Sequence, residues 1–192
     1  LTTLGASSTV TNIRKLAFLK DSASKAGFPC AFLIESAGAR MPDIQGAVGM
    51  GRVGQLSGTR RERDVPWVSA VLGPCYGMGT WYAVLSDFAV MRRDATFSVS
   101  SPKVTSVALS QEVTAEELGG SDLHADTTGQ IDLVTDTDAE AIEALRNFLA
   151  LMPSNHREPP PLARSPVTAH PAQAVEALIP HARNRIYDGR KL

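Results

Sequence analysis

Cysteine is nearly absent from this 192-residue sequence, which holds only Cys30 and Cys75. Two isolated thiols build neither a zinc site nor a disulfide framework, and the four histidines, His124, His156, His170 and His181, lack ligand spacing. No metal is expected, and both cysteines read as buried, reduced thiols of a cytoplasmic protein. Cys75 as a nucleophile would need a base that the sequence does not place beside it. An excess of charge is lacking too: 19 basic against 20 acidic residues leave a net charge of −1. Such a chain has no strong field to attract nucleic acid or an anionic membrane. No apolar run approaches the roughly 18 residues of a membrane span. The opening Leu1-Thr2-Thr3-Leu4-Gly5 lacks the basic start, apolar core and cleavage site of a secretory signal. An initiator methionine is also missing, which points to a stretch of a longer gene product. There is no Gly-Lys-Ser/Thr phosphate loop, no G-x-G-x-x-G, no G-x-S-x-G elbow and no repeat of 20 to 50 residues. Phosphate-loop enzymes, nucleotide dehydrogenases, α/β-hydrolases and solenoids are thereby set aside.

What is present suits one sizeable core, with 43% hydrophobic residues. Ser8-Thr9 precede helical spacing through Val10, Ile13, Leu16 and Leu19, ending near Gly27. Short apolar runs at 28–34 and 65–73 read as buried strands, and 88–91, 96–99 and 131–134 as further strands. Helices are predicted over 80–86, after Ser101-Pro102, over one turn after the capping box of Thr114 and Glu117, and from Asp136 or Thr137 to Pro153. The stretch 43–63 reads as an irregular helical passage. Strands alternating with helices and nearly continuous in apolar character predict an α/β fold with a largely parallel sheet, covered by helices on both faces. From Pro153 the composition changes. Pro159-Pro160-Pro161, Pro166 and Pro171 make a stiff linker, and 172–187 reads as an amphipathic helix with nothing after it to bury its apolar face. It is taken as a connector that packs on another domain or chain. The expected organisation is therefore 1–152 as one domain and 153–192 as a linker with a connecting helix.

The most telling stretch is 65–81, where an apolar β-branched run ends in Gly73, Gly77 and Gly79 at the mouth of a helix. The first N–H groups of a helix have no partner within it, and its dipole favours negative charge. Two such groups aimed at one oxygen would hold an enolate or another oxyanion without a charged side chain. The same pattern also suits a tight strand-to-helix turn that binds nothing, and the segment alone leaves both readings open. A second small-residue turn, Glu35 to Arg40, follows the other buried strand. In a parallel sheet both turns would lie at carboxyl ends of strands, where α/β folds bind ligands. Glu35 and Asp43 are available as a general base or as caps of backbone N–H groups. Arg40 suits a phosphate equally with an ion pair to Glu35 or Asp43. Arg60, Arg61 and Arg63 beside Glu62 read as a solvated helix end, and Trp81 and Tyr82 as core.

These motifs carry a family resemblance. Glu35-Ser-Ala-Gly-Ala-Arg40 resembles the S-G-G-A-R turn of the carboxyltransferase subunits of biotin-dependent acyl-CoA carboxylases. Gly73-Pro-Cys-Tyr-Gly-Met-Gly79 resembles their G-P-C-A-G-G-A, and Leu85-Ser-Asp-Phe88 their L-T-D-F. The run from Glu112 to Gly120, His124, and Leu151-Met-Pro-Ser-Asn155 are similar to the same subunits in the same order. The resemblance covers about residues 1 to 192 and is nearest to propionyl-CoA and acetyl-CoA carboxylase β subunits and to biotin-dependent decarboxylases.

That resemblance implies the crotonase-like ββα superhelix, here most of a first domain whose opening segment and second domain lie outside this sequence. It implies coenzyme A binding by Ser36, Ala37, Gly38, Ala39, Arg40 and Gly79. The backbone amides of Gly77 and Met78 are implied as donors of an oxyanion hole. The implied reaction moves carboxylate between carboxybiotin and an acyl-CoA through an enolate. Its partners would be the acyl-CoA, biotin carboxyl carrier and biotin carboxylase components, a second carboxyltransferase domain, and further copies of the chain in a homo-oligomer. Two other readings stand beside it: a coenzyme A-binding scaffold inactive without the second domain, or a subunit working in the decarboxylating direction. A crotonase-like hydratase or thioester hydrolase would need a pair of carboxylates near the two turns. Met78 departs from the family's glycine and Ala37 from its first glycine, so position 37 must adopt a backbone conformation open to any residue.

Overall fold

The computed structural model describes residues 3–46, 51, 63–162 and 172–191. Most of the passage read as irregular helix over 43–63, with Arg60 and Arg61, lies outside them. The chain divides into two compact units, Leu1–Pro161 and Leu162–Leu192.

The first unit opens with helix α1, Val10–Ala26. Thr9 caps it in a reciprocal box with Asn12, and Gly27 closes it in the left-handed region at φ 75°, where glycine carries no Cβ penalty. Strand β1, Cys30–Ser36, pairs in parallel with β2, Trp67–Tyr76. A short helix α2, Met41–Ile44, follows β1. After β2 come helix α3, Gly79–Leu85, and strands β3, Phe88–Arg92, and β4, Thr96–Ser98. Helices α4, Pro102–Leu109, and α5, Ala115–Gly119, lead to a π-helical turn, Leu123–Thr128. Strand β5, Leu133–Thr135, and helix α6, Asp138–Ala150, complete the unit, with Thr137 as the helix cap.

Among the described residues every strand pairing is parallel, in the order β1-β2-β3-β5, with β4 paired to β2. β2 is the spine. Val68 to Val71 pair with β3, and Pro74 to Tyr76 pair with β4, so two short strands follow one another along the same long one. Alternate residues of β2 and β3 face opposite ways. Val68, Ala70 and Val90 pack against Ala141 and Leu145 of α6. Val71, Cys75 and Met91 pack with Ala83 of α3 and Ile34 of β1. Helices therefore cover the sheet on both faces, which is why its strands read as unbroken apolar runs.

Two boundaries moved in ways that matter. β2 continues past Gly73 through Pro74 to Tyr76, with a bulge in it at 72–74. The pairing steps from Ile34↔Val71 to Ser36↔Cys75, setting four steps of β2 against two of β1. Proline is tolerated at such a bulge, and the bulge bends the strand end. In the second unit, the helix read over 172–187 is present only as α7, Ala172–Glu176. Pro180 forbids a continuous helix there, since its ring clashes with the preceding turn and it has no N–H.

Candidate functional site

Two turns leave the carboxyl ends of β1 and β2 and meet. A Cβ on Gly38 would touch Tyr76 at 3.8 Å, and one on Gly77 would stand 3.5 Å from Gly38 Cα. Gly38 and Gly77 adopt φ of 92° and 70°, whereas Ala37 has no positive φ, as its side chain requires.

The first turn is tied to the amino-terminal segment. Ala37 N–H donates to the Gly5 carbonyl at 2.9 Å, Ser8 N–H to the Gly38 carbonyl at 2.7 Å, and Arg40 N–H to the Ser8 carbonyl at 2.9 Å. Ala39 lies in a parallel bridge with Ser8. Buried Ser36 accepts the Gly38 N–H on Oγ at 3.1 Å. Arg40 donates from Nε to Ser7 Oγ at 3.0 Å and pairs with Asp43 at 3.7 Å. The ion-pair alternative for Arg40 is thus realised with Asp43. Glu35 instead lies along Gly73, where a Cβ would meet its Oε1.

The second turn divides its amides between structure and cavity. Gly77 N–H donates to the Val99 carbonyl at 3.0 Å, just beyond the last β2–β4 pair, Tyr76↔Ser98. Of the expected pair of donors, Gly77 is therefore engaged within the fold. Among the described residues, the N–H groups of Met78 and Gly79 have no partner, as befits the start of α3. The Gly77 carbonyl is held from the other side, by Thr80 Oγ1 at 2.7 Å and Thr80 N–H at 3.2 Å. The C=O and N–H of one planar peptide point oppositely. Thr80, 2% exposed, therefore aims the Met78 N–H outward. Sequence reasoning did not single out Thr80; a hydroxyl three residues after the turn glycine is the signal that identifies it.

A cavity flanks each side of α3. One, of about 380 Å³, is lined by Ser36, Met78, Gly79 and Tyr82 with Ile34 and Glu35 of β1 and Asn12 and Leu16 of α1. It brings Ser36, Met78 and Gly79 of the predicted site together, while Arg40 lies outside its lining. The other, of about 480 Å³, is lined by Thr80, Trp81, Val84, Leu85, Phe97, Ser98, Val99, Leu118, His124 and Gln130. Among the described residues, its lining includes no carboxylate. Thr80, Ser98 and His124 are already bonded to the carbonyls of Gly77, Ser100 and Phe97, so these walls favour hydrocarbon over polar groups. Trp81 is not core as predicted: it is 41% exposed on this wall, because Gly79, Thr80 and Ala83 take the inward face of α3. Tyr82 is partly buried and stacks on Phe32, with ring centroids 5.0 Å apart. Lys20 lies over the rings of Tyr82 and Trp67, and burial pulls its ammonium pKa down.

Cys75 is fully buried beneath the turn, and burial pushes its thiol pKa up to about 12. A thiol so hard to ionise is a packing group rather than a nucleophile.

Comparison with known proteins identifies the family and the fold. Residues 1–192 match the family described as the carboxyl transferase domain. The carboxyltransferase subunit of propionyl-CoA carboxylase from Haloferax mediterranei is 32% identical over 91% of this chain and 34% of its own length. The propionyl-CoA carboxylase beta chain of Roseobacter denitrificans is 30% identical over 100% of this chain and 38% of its own. Among solved structures, the transcarboxylase 12S hexamer with methylmalonyl-coenzyme A and methylmalonic acid bound superimposes with a TM-score of 0.75 and 26% identity, over 96% of this chain and 36% of that one. The chain thus spans about a third of the length of these relatives. Its parallel α/β fold is the crotonase-like fold of transcarboxylase 12S, as the resemblance implied. Among the described residues, no helix is long and apolar enough to cross a membrane.

Proposed function

The chain belongs to the carboxyl transferase domain family, and from that membership we propose that it moves a carboxyl group between biotin and an acyl-CoA. The observation that carries the mechanism is the pair of amides at Met78 and Gly79, without a partner among the described residues; both residues line a cavity shared with Ser36, and Thr80 fixes the peptide that carries the Met78 N–H. Removal of a proton next to a thioester leaves negative charge on the thioester oxygen. Two preorganised N–H groups stabilise that enolate more than the neutral thioester, each by about 3 kcal/mol. The N-terminus of a seven-residue helix adds its dipole in the same sense.

The roles of the two turns follow. Ser36 to Arg40 orients the coenzyme A portion, with Arg40 braced by Ser7 and Asp43. The apolar cavity along Trp81, Val84, Phe97 and Val99 suits the hydrocarbon of the acyl group or the ring system of biotin. Biotin, carried on a partner with a biotin carboxylase component, supplies the carboxyl group when bound. Methylmalonyl-coenzyme A bound to the 12S relative supports a short-chain acyl-CoA. A second reading, a coenzyme A-binding half without activity alone, is favoured by the chain's one-third coverage of its relatives. Under it, a second carboxyltransferase domain completes the site within a homo-oligomer.

Met78→Pro tests the mechanism. Met78 sits at φ −61°, a value proline adopts, and its N–H has no partner to lose among the described residues. Glycine precedes it, so the part of the conflict before proline that involves Cβ is absent. The variant should fold, retain acyl-CoA binding and lose about a hundredfold in turnover, while Met78→Ala, which keeps the N–H, should retain it. Equal turnover of the proline and alanine variants would overturn the assignment. Assay with and without the second domain separates the half-site reading.

A further inference from the structure

We propose that His124 is the positioning residue of the 77–79 turn, acting through the Phe97 carbonyl and strand β4 on the bond that fixes the Gly77 amide. The inference rests on the reading of that turn as the oxyanion site.

β4 has three residues and pairs only with β2 among the described strands. So short a strand holds its register weakly by itself. Its far end nevertheless sets the turn, because Val99, directly after it, accepts the Gly77 N–H at 3.0 Å. What secures β4 is on its other edge. The Phe97 carbonyl faces His124, whose Nε2 lies 2.7 Å away, and the imidazole meets the Phe97 ring edge-on at 4.6 Å. Gly119 closes on the same oxygen, and a Cβ there would collide with it. The Phe97 carbonyl is thus clamped by a donor and by a backbone that only glycine allows.

The ring itself is held. A carbonyl only accepts, so Nε2 donates to it, while Nδ1 lies 3.0 Å from Thr128 Oγ1, a hydroxyl that can serve as donor or acceptor. The main chain of His124 is fixed inside the π-helical turn, with its N–H on the Gly120 carbonyl at 3.3 Å and its carbonyl accepting from Gln130 at 3.0 Å and Ile131 at 3.3 Å. π-helical turns are rare and concentrate at functional sites. Here the turn delivers one imidazole N–H to one carbonyl. The relay runs from His124 to Phe97, two residues along β4 to Val99, and across to Gly77, whose peptide carries the Met78 N–H. Oxyanion donors tolerate displacements of only about 0.5 Å, so a support at two residues' remove bears directly on their geometry.

The test reads the amide itself. Hydrogen exchange of the folded protein, followed by NMR, compares Gly77 with Val71 in the core of β2. His124→Ala should speed exchange at Gly77 by about tenfold while Val71 is unchanged, and His124→Gln, which restores a side-chain N–H, should bring Gly77 back to within about twofold. Should the alanine variant fail to fold, Thr128→Val decides, since it removes the Nδ1 partner and leaves the imidazole; faster exchange at Gly77 alone supports the assignment. An unchanged Gly77, or equal acceleration at Gly77 and Val71, overturns it. Failure of the carboxyl-transfer reading would appear as missing turnover in the unsubstituted protein with its second domain, not as an unresponsive Gly77 amide.

Discussion

Gly38 and Gly77, 39 positions apart in sequence, sit back to back, with room for 3.5 Å between a Cβ on Gly77 and Gly38 Cα. Each adopts positive φ, at 92° and 70°. This contact joins the turn after β1 to the turn after β2 and places Ser36 beside Met78 and Gly79.

Gly77→Ala should therefore cost about 1 to 2 kcal/mol of stability, chiefly because an L-residue is strained at that φ. The added methyl meets Gly38 at ordinary contact distance, so crowding is the lesser effect. Denaturant unfolding gives the stability loss, and turnover should fall further than stability does.

Thr80 offers a cleaner separation of folding from chemistry. Thr80→Val keeps the shape and the backbone N–H bond to the Gly77 carbonyl but removes the shorter hydroxyl bond, at a cost of about 1 kcal/mol. With the Met78 peptide held by the backbone bond alone, turnover should fall by about tenfold at unchanged acyl-CoA affinity. Thr80→Ser, retaining the hydroxyl, should stay near the unsubstituted rate in steady-state assay.

Cys75 makes stability depend on alkaline pH. Its pKa is 9.0 in an unperturbed chain and about 12 in the fold. The unfolded chain releases this proton first, so the contribution is fully present below 9.0 and is lost as pH rises through about 12. Urea midpoints measured across that window should decline, and Cys75→Ala should flatten the part due to this thiol. Both cysteines are buried, so a thiol reagent should titrate neither until the chain is unfolded.

Asn155, 8% exposed, fastens the segment after α6 to the end of α1. Its Nδ2 donates to the Gly27 carbonyl at 3.1 Å, and its Oδ1 accepts the Arg157 N–H at 3.0 Å. Asn155→Ala should cost about 1 to 3 kcal/mol by leaving buried partners unsatisfied. Thermal unfolding of the two proteins measures it; no loss would mean that residues beyond α6 are not integral to the first unit.

Capping and patterning were legible because their physics is local. Thr9, Thr114 and Thr137 each bond an amide three residues on, and the buried strands show as apolar runs because both faces of the sheet are covered. The two small-residue turns and their order, with the family resemblance they carry, were equally open to reading. The length of the last helix was misread, although Pro180 marks its limit in the sequence itself.

What the chain order left undecided were choices between partners far apart in it. Arg40 could pair with Glu35 or Asp43 until the fold brought Ser7 alongside and bent Glu35 toward Gly73. Trp81 looked like core until α3 turned its small residues inward. Gly77 and Met78 looked like equal donors until β4 laid the Val99 carbonyl against one of them, 22 positions later in the chain. The amino-acid sequence determined that glycine-rich turns would end two buried strands, since backbone freedom and burial are written residue by residue. Which amides remain free for a ligand was decided only by tertiary packing, because a hydrogen bond between distant residues exists only once the sheet sets their register.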